Sequence, residues 1–103
     1  MDARRAADAL REGALVLDVR EQGEWDAGHI AGARHIPLGE LGARYEELPR
    51  DRRIVCVCRS GGRSLTATQA LAGAGFDIHN LDGGLKAWAA AGLPLEPAGG
   101  FVA

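Results

Sequence analysis

Cys58 opens the run Cys58-Arg59-Ser60-Gly61-Gly62-Arg63-Ser64, set between the apolar stretch Ile54–Val57 and a segment with helical character. A thiol placed where a strand meets a helix can become a nucleophile. An ordinary cysteine has a pKa near 8.5, so roughly 3% is thiolate at pH 7, and a shift to about 6.5 would raise that to roughly three quarters. The surrounding residue types favour the shift. Arg59 and Arg63 bring positive charge, Gly61 and Gly62 let backbone N–H groups turn inward, and the following helix aims the positive end of its dipole at the turn. The loop should therefore welcome an anion. Counted inclusively, Cys58 to Arg63 is six residues, a shallow bowl of donors that would also stabilise a persulfide, in which Cys58 carries an additional sulfur. Such a bowl suggests two-step group transfer, with Cys58 taking sulfur from a sulfane donor and yielding it to a second thiol or to cyanide.

The elements that must position this loop can be read along the chain. Asp2 can cap a helix over residues 2–12, with Ala6 and Leu10 on one face and Gly13 as a left-handed stop. Ala14-Leu15-Val16-Leu17-Asp18-Val19 reads as a buried strand with Asp18 near its end. Residues 21–27 allow one or two helical turns, and Gly28-His29-Ile30-Ala31-Gly32 turns into a brief extended piece, 33–36, stopped by Pro37. Leu38, Leu41, Tyr45 and Leu48 recur at helical spacing, and Pro49 ends that helix. Residues 54–57 form a central strand, 63–74 a helix burying Ala67, Ala70, Leu71 and Ala74, 78–81 a last strand, and 85–91 a last helix opened by Gly83-Gly84. Short strands alternating with helices argue for a parallel sheet covered on both faces. In such sheets sites form beyond the carboxyl ends of the strands, which puts Asp18, Cys58 and Asp82 on one rim.

The chain of 103 residues has room for one domain. Hydrophobic content of 47%, charge content of 25% and a formal charge of −2 fit a globule and give no reason to expect nucleic acid or an anionic membrane as partner. Lys86 is the sole lysine, and the arginines are spread along the chain, most of them read as solvated surface. Residues 1–13 lack the apolar centre of a secretory signal and no window approaches a membrane span, so the cytoplasm is the expected compartment. Cys56 and Cys58 are too few and too close for a disulfide framework, and both are expected reduced.

Three segments together resemble the single-domain rhodaneses, sulfurtransferases that act on thiosulfate or persulfides. They are Leu17-Asp18-Val19-Arg20 with Glu24-Trp25 and the stretch from Gly28-His29-Ile30-Ala31-Gly32-Ala33 to Ile36-Pro37; the loop from Cys58 to Arg63; and Leu81-Asp82-Gly83-Gly84 with Ala87-Trp88 and Gly92-Leu93-Pro94. The resemblance implies a single rhodanese-like α/β domain over residues 1–95, with a small, central, mostly parallel sheet flanked by helices on both faces, and a loosely held tail at 96–103. It implies Cys58 as the sulfur carrier, with no metal and no organic cofactor. Arg59 and Arg63 would hold the donor's anionic end, and the amides of Ser60, Gly61, Gly62 and Arg63 would surround the transferred sulfur. Asp18 and Arg20, with Ser64, would support the loop from behind. The implied partners are a small-molecule sulfur donor and a thiol acceptor, including a protein thiol.

Plainer readings stand beside these. Cys58 can be an inert buried thiol, Arg59 surface charge, Arg63 a first-turn helix residue, and Asp18 or Asp82 a turn cap. A cation in the first turn opposes the helix dipole unless an anion is near, which favours a working Arg63. Trp25 and Trp88 read as packing, Cys56 as a small core residue and His29 as a turn tether. His29, His35 and His79 show no ligand spacing with the cysteines that would point to zinc. A cysteine phosphatase or arsenate reductase also cradles a thiolate, but those loops put arginine six positions after the cysteine, where Ser64 stands here. The smaller ring suits a lone sulfur better than a phosphoryl group with three equatorial oxygens. A noncatalytic rhodanese-like module that binds a partner or senses sulfur is the rival from another class.

Overall fold

The computed structural model describes residues 1–103. Four strands, β1 (Leu15–Asp18), β2 (Arg34–His35), β3 (Ile54–Val57) and β4 (Ile78–Asn80), form one sheet in the order β2-β1-β3-β4. Every neighbouring pair is parallel, with Leu17 opposite Cys56 and Cys56 opposite Asn80. The central strands are continuous apolar runs because both faces are covered.

Strand alternation divides the core in two. Leu15, Leu17 and Val19 of the first strand segment, with Ile54, Cys56 and Cys58 of the third, point to one cluster, closed by Leu41, Leu48, Ala67, Leu71 and Phe76. Val16, Val55 and Val57 point to the other, closed by Ala3, Ala6, Ala7, Ala9, Leu85 and Trp88. The first cluster is covered by α3 (Leu38–Arg44) and α4 (Gly62–Gly73), and the second by α1 (Ala3–Arg11) and α5 (Gly84–Ala90). A short helix, α2 (Gln22–Ala27), links β1 to the turn before β2. The Asp2 side chain caps α1 by accepting the Arg5 N–H at 2.9 Å, and a reciprocal Glu21–Glu24 capping box starts α2. No helix is long and apolar enough to cross a membrane.

Two expectations are corrected. The stripe from Leu38 to Leu48 is helical only to Arg44, after which residues Tyr45–Glu47 tighten into a 3-10 turn. That turn places the Tyr45 ring edge-on to Phe76, with centroids 6.4 Å apart. Ala70 and Ala74 are exposed rather than buried; they line an open apolar groove between α3 and α4, of about 320 Å³, with Leu38, Leu41 and Tyr45. The segment 96–103 lies against the body. His29 and Glu96 exchange both backbone hydrogen bonds, at 2.9 and 2.7 Å, and the Phe101 N–H reaches the Ala27 carbonyl at 3.0 Å.

Candidate active site

Parallel strands deliver Asp18, Cys58 and Asp82 to one edge of the sheet, Asp18 as the last residue of β1 and the other two just beyond the carboxyl ends of β3 and β4. Between β3 and α4 the chain must reverse in four residues, and Gly61 makes this possible with φ +103°. The loop's carbonyls are drawn to α5 and α4. Cys58 O accepts from the Leu85 N–H at 2.8 Å, Arg59 O from the Lys86 N–H at 3.0 Å, and Gly61 O from the Leu65 N–H at 3.1 Å. The close approach to α5 depends on Gly84, where a Cβ would sit 2.5 Å from Arg59 O and 2.6 Å from Cys58 O.

With those carbonyls engaged elsewhere, donors gather on the sulfur. Cys58 Sγ accepts from the Gly61 N–H at 3.1 Å, the Ser64 N–H at 3.4 Å and the Ser64 hydroxyl at 3.3 Å. Burial alone pushes the thiol up, but the Ser64 hydroxyl together with the Ser64, Gly61 and Ser60 amides outweighs it, so Cys58 lies below the ordinary cysteine value. Cys56, two residues back in the core, has no such cradle, and burial pushes it up to about 12. Cys58, Gly61 and Ser64 are buried, whereas Arg59, Ser60 and Gly62 are exposed above them. Cys58 itself is 0% exposed.

The two loop arginines behave differently. Arg59 is exposed and its Nε donates to the Ala103 carbonyl at 3.0 Å. Arg63 is held by Glu24, with Nη1 and Nη2 donating to the two carboxylate oxygens at 2.7 and 2.8 Å. The Arg63 guanidinium holds the Glu24 carboxyl down at about 2, and Glu24 raises Arg63 in turn.

Beneath the loop, Asp18 and Arg20 form an ion pair that is 0% exposed on both residues. Arg20 Nη2 donates to Asp18 Oδ2 at 2.8 Å and to Gly28 O at 2.7 Å, Arg20 Nε donates to Asp18 Oδ1 at 3.0 Å, and the Arg20 amide donates to the same oxygen at 3.0 Å. Asp82 is exposed and pairs with the Met1 amine at 3.1 Å. His29 Nδ1 donates to the Trp25 carbonyl at 2.8 Å and His35 Nε2 to the Arg20 carbonyl at 2.6 Å, while the Trp25 ring stacks on both imidazoles. His79 pairs with Asp77 at 2.9 Å, and the Trp88 indole N–H, on a buried side chain, donates to Pro94 O at 2.9 Å.

Two residues join the site that sequence reasoning gave no role. Glu24 appeared only as part of a motif, and nothing local signals its pairing with Arg63 thirty-nine residues away. Asn80, at the end of β4, accepts the Ser64 hydroxyl at Oδ1 over 2.6 Å and donates from Nδ2 to Gly61 O at 3.2 Å. A polar residue ending a short strand is the one available hint.

A family model described as "Rhodanese-like domain" matches residues 2–91. The chain belongs to the rhodanese-like domain family. The chain is 38% identical over 84 residues to a Pseudomonas fluorescens protein named "Thiosulfate sulfurtransferase GlpE", a match covering 80% of this chain and 77% of that one. It is 42% identical over 102 residues to the Mycobacterium tuberculosis "HTH-type transcriptional regulator Rv0324", covering 92% of this chain. The crystal structure of a rhodanese-related protein from Thermoplasma volcanium superposes with a TM-score of 0.88 at 33% identity, over 92% of this chain and 94% of that one. The chain spans 45% of the length of the mycobacterial regulator and 60% of that of a Bacillus subtilis relative. The rhodanese-like fold thus agrees with the expected α/β architecture of a parallel sheet between two helical layers.

Proposed function

We propose that this chain is a sulfurtransferase that moves a sulfane sulfur from thiosulfate or a persulfide donor to a thiol or cyanide acceptor through a Cys58 persulfide. The observation that carries this reading is the Cys58 sulfur held by two backbone N–H groups and one hydroxyl. The similarity to a protein named as a thiosulfate sulfurtransferase supports it. In the first step the Cys58 thiolate attacks the sulfane sulfur, the donor's S–S bond breaks, and sulfite or a thiolate leaves with the electron pair. In the second the acceptor bonds the outer sulfur and Cys58 leaves as thiolate. Exposed Arg59 meets the anionic end of the donor, and the amides of Ser60, Gly61, Gly62 and Arg63 face the outer sulfur. Asp18, Arg20 and Ser64 support the loop.

Intact-mass spectrometry after incubation with thiosulfate tests this directly. The wild-type chain should gain the mass of one sulfur atom and lose it on addition of cyanide, while Cys58→Ser, with an unchanged circular dichroism spectrum, should gain nothing. Sulfur retained by Cys58→Ser would refute the assignment. A sulfur-sensing module is the second reading, favoured by the similarity to a transcriptional regulator over most of this chain. Such a module would load sulfur and fail to turn it over with any acceptor.

A further inference from the structure

The Ser64 hydroxyl has two acceptors and one hydrogen. Its oxygen lies 2.6 Å from Asn80 Oδ1 and 3.3 Å from Cys58 Sγ. A serine hydroxyl donates once, so one of the two contacts lacks a hydrogen at any instant. The Asn80 amide cannot turn over to relieve the competition. Its Nδ2 donates to Gly61 O at 3.2 Å, and that carbonyl oxygen can only accept, so Oδ1 must face Ser64. Asn80 is itself positioned by the loop that carries the thiol.

Building on the sulfur-transfer reading above, we propose that Asn80 is a positioning residue that takes the Ser64 hydroxyl hydrogen whenever Cys58 Sγ is uncharged and yields it when Sγ becomes an anion. When Cys58 carries the extra sulfur, Sγ is bonded to two atoms and is a poor acceptor, so the hydrogen rests on Asn80. As the acceptor, already ionised to its thiolate, bonds the outer sulfur, the Sγ–S bond breaks and Sγ leaves with the electron pair. The hydroxyl then rotates from Asn80 to the departing thiolate. No proton is transferred and no further reactant is needed. In the loading step the order reverses, because a thiolate that keeps this hydrogen bond is a calmer nucleophile. Asn80 therefore favours loading and opposes unloading, and Ser64 does the converse.

The charged and titratable groups around the sulfur and Asn80 are Cys56 in β3, Asp18 with Arg20 behind it, Arg59 in the loop, Arg63 paired with Glu24, and the Met1 amine, which pairs with Asp82 and donates to the Asn80 backbone carbonyl at 2.8 Å. Substitution of Asn80 or Ser64 changes none of these charges. The test is an ultraviolet thiolate titration of the wild type, Asn80→Ala, Ser64→Ala and the double variant. Because burial pushes Cys56 up to about 12 while the cradle holds Cys58 below the ordinary cysteine value, the lower of the two thiolate signals belongs to Cys58, and Cys58→Ser supplies the blank. The midpoint should fall in Asn80→Ala, rise in Ser64→Ala, and in the double variant match Ser64→Ala alone. Asn80→Val, which suits a strand, serves beside Asn80→Ala should the smaller side chain unsettle β4. In single-turnover measurements sulfur release to a thiol should quicken roughly threefold to tenfold in Asn80→Ala, the weight of one ordinary hydrogen bond. Loading at a pH where Cys58 is fully ionised should slow.

An Asn80→Ala midpoint that does not move, or moves equally with and without the Ser64 hydroxyl, overturns the proposal. So does a change of loading and release in the same direction. The titration needs no turnover: midpoints that shift as expected in a chain that never retains sulfur would sink the sulfur-transfer reading and leave the shared hydrogen standing.

Discussion

With both Glu24 oxygens on the Arg63 guanidinium, the loop's second cation meets a donor as one half of a neutral pair. In the proposed sulfur transfer Arg59, which pairs with no side-chain carboxylate, is the cation left to attract a dianion. The pair also ties α4 to α2 across the front of the loop, and its strength depends on pH. Glu24 titrates at about 2 in the fold against an ordinary value of 4.5. A depressed carboxyl stabilises the fold above the unfolded value and loses that contribution as the pH falls through the folded one. Since the Arg63 side chain is 37% exposed, solvent screens the pair and the contribution is about 1 kcal/mol. Chemical unfolding of the wild type and Glu24→Gln should therefore differ by about that amount at neutral pH, with the gap closing between pH 4.5 and 2. A gap that stays constant across that range would show that Glu24 acts by shape and not by charge.

The loop is shaped by what lies behind it as much as by its own residues. Two amides at the start of α5 take up the Cys58 and Arg59 carbonyls, and Gly84 stands where that contact is tightest, with φ +64°. In Gly84→Ala the added methyl would meet three backbone atoms at 2.5 to 2.6 Å, in a conformation L-residues rarely adopt. The variant should lose about 2 kcal/mol or more in chemical unfolding, and the Cys58 thiolate titration should move up as the amide cradle opens. A normal midpoint in a destabilised protein would mean that α5 supports the core and not the cradle. The Gly83-Gly84 pair was legible as a helix opening, but its grip on the loop was not, because the partner carbonyls lie in a distant segment. The strands were legible for a simple reason: buried on both faces, they are unbroken apolar runs. The turn that carries Cys58 was legible in Gly61, whereas the Ser64 N–H and hydroxyl, which also reach the sulfur, were not. Arg63 toward Glu24 and Ser64 toward Asn80 were not, since contacts spanning 39 and 16 residues leave no local spacing to read. The helix from Leu38 failed at its end because its apolar stripe fits α-helical and 3-10 geometry alike over one turn.

At the scale of the whole chain, the buried ion pair connects the sheet to the segment 96–103. Arg20 reaches from Asp18 to the Gly28 carbonyl, and the Gly28 backbone packs directly on Gly100 and Phe101. Next to it His29 pairs with Glu96, and the end of the segment meets Arg59 above the loop. Gly28 thus stands between the pair under the sulfur and the strap over the arginine. Its φ of 166° is extended backbone that any residue adopts, so a side chain there causes no strain of its own. A Cβ would, however, lie 2.6 Å from Phe101 N and 2.7 Å from Phe101 O, backbone atoms that cannot turn aside. Gly28→Ala should therefore displace residues 96–103 and leave the sheet and its helices in place. Hydrogen exchange read by mass spectrometry should show faster exchange in peptides covering 96–103, with β1 and β3 peptides unchanged. Arg59, released from the Ala103 carbonyl, should then serve a dianionic donor better, and sulfur loading from thiosulfate should rise relative to loading from a neutral persulfide. Exchange that quickens across β1 as well would show that Gly28 works chiefly through Arg20 and Asp18, and exchange that does not change at 96–103 would remove the strap altogether.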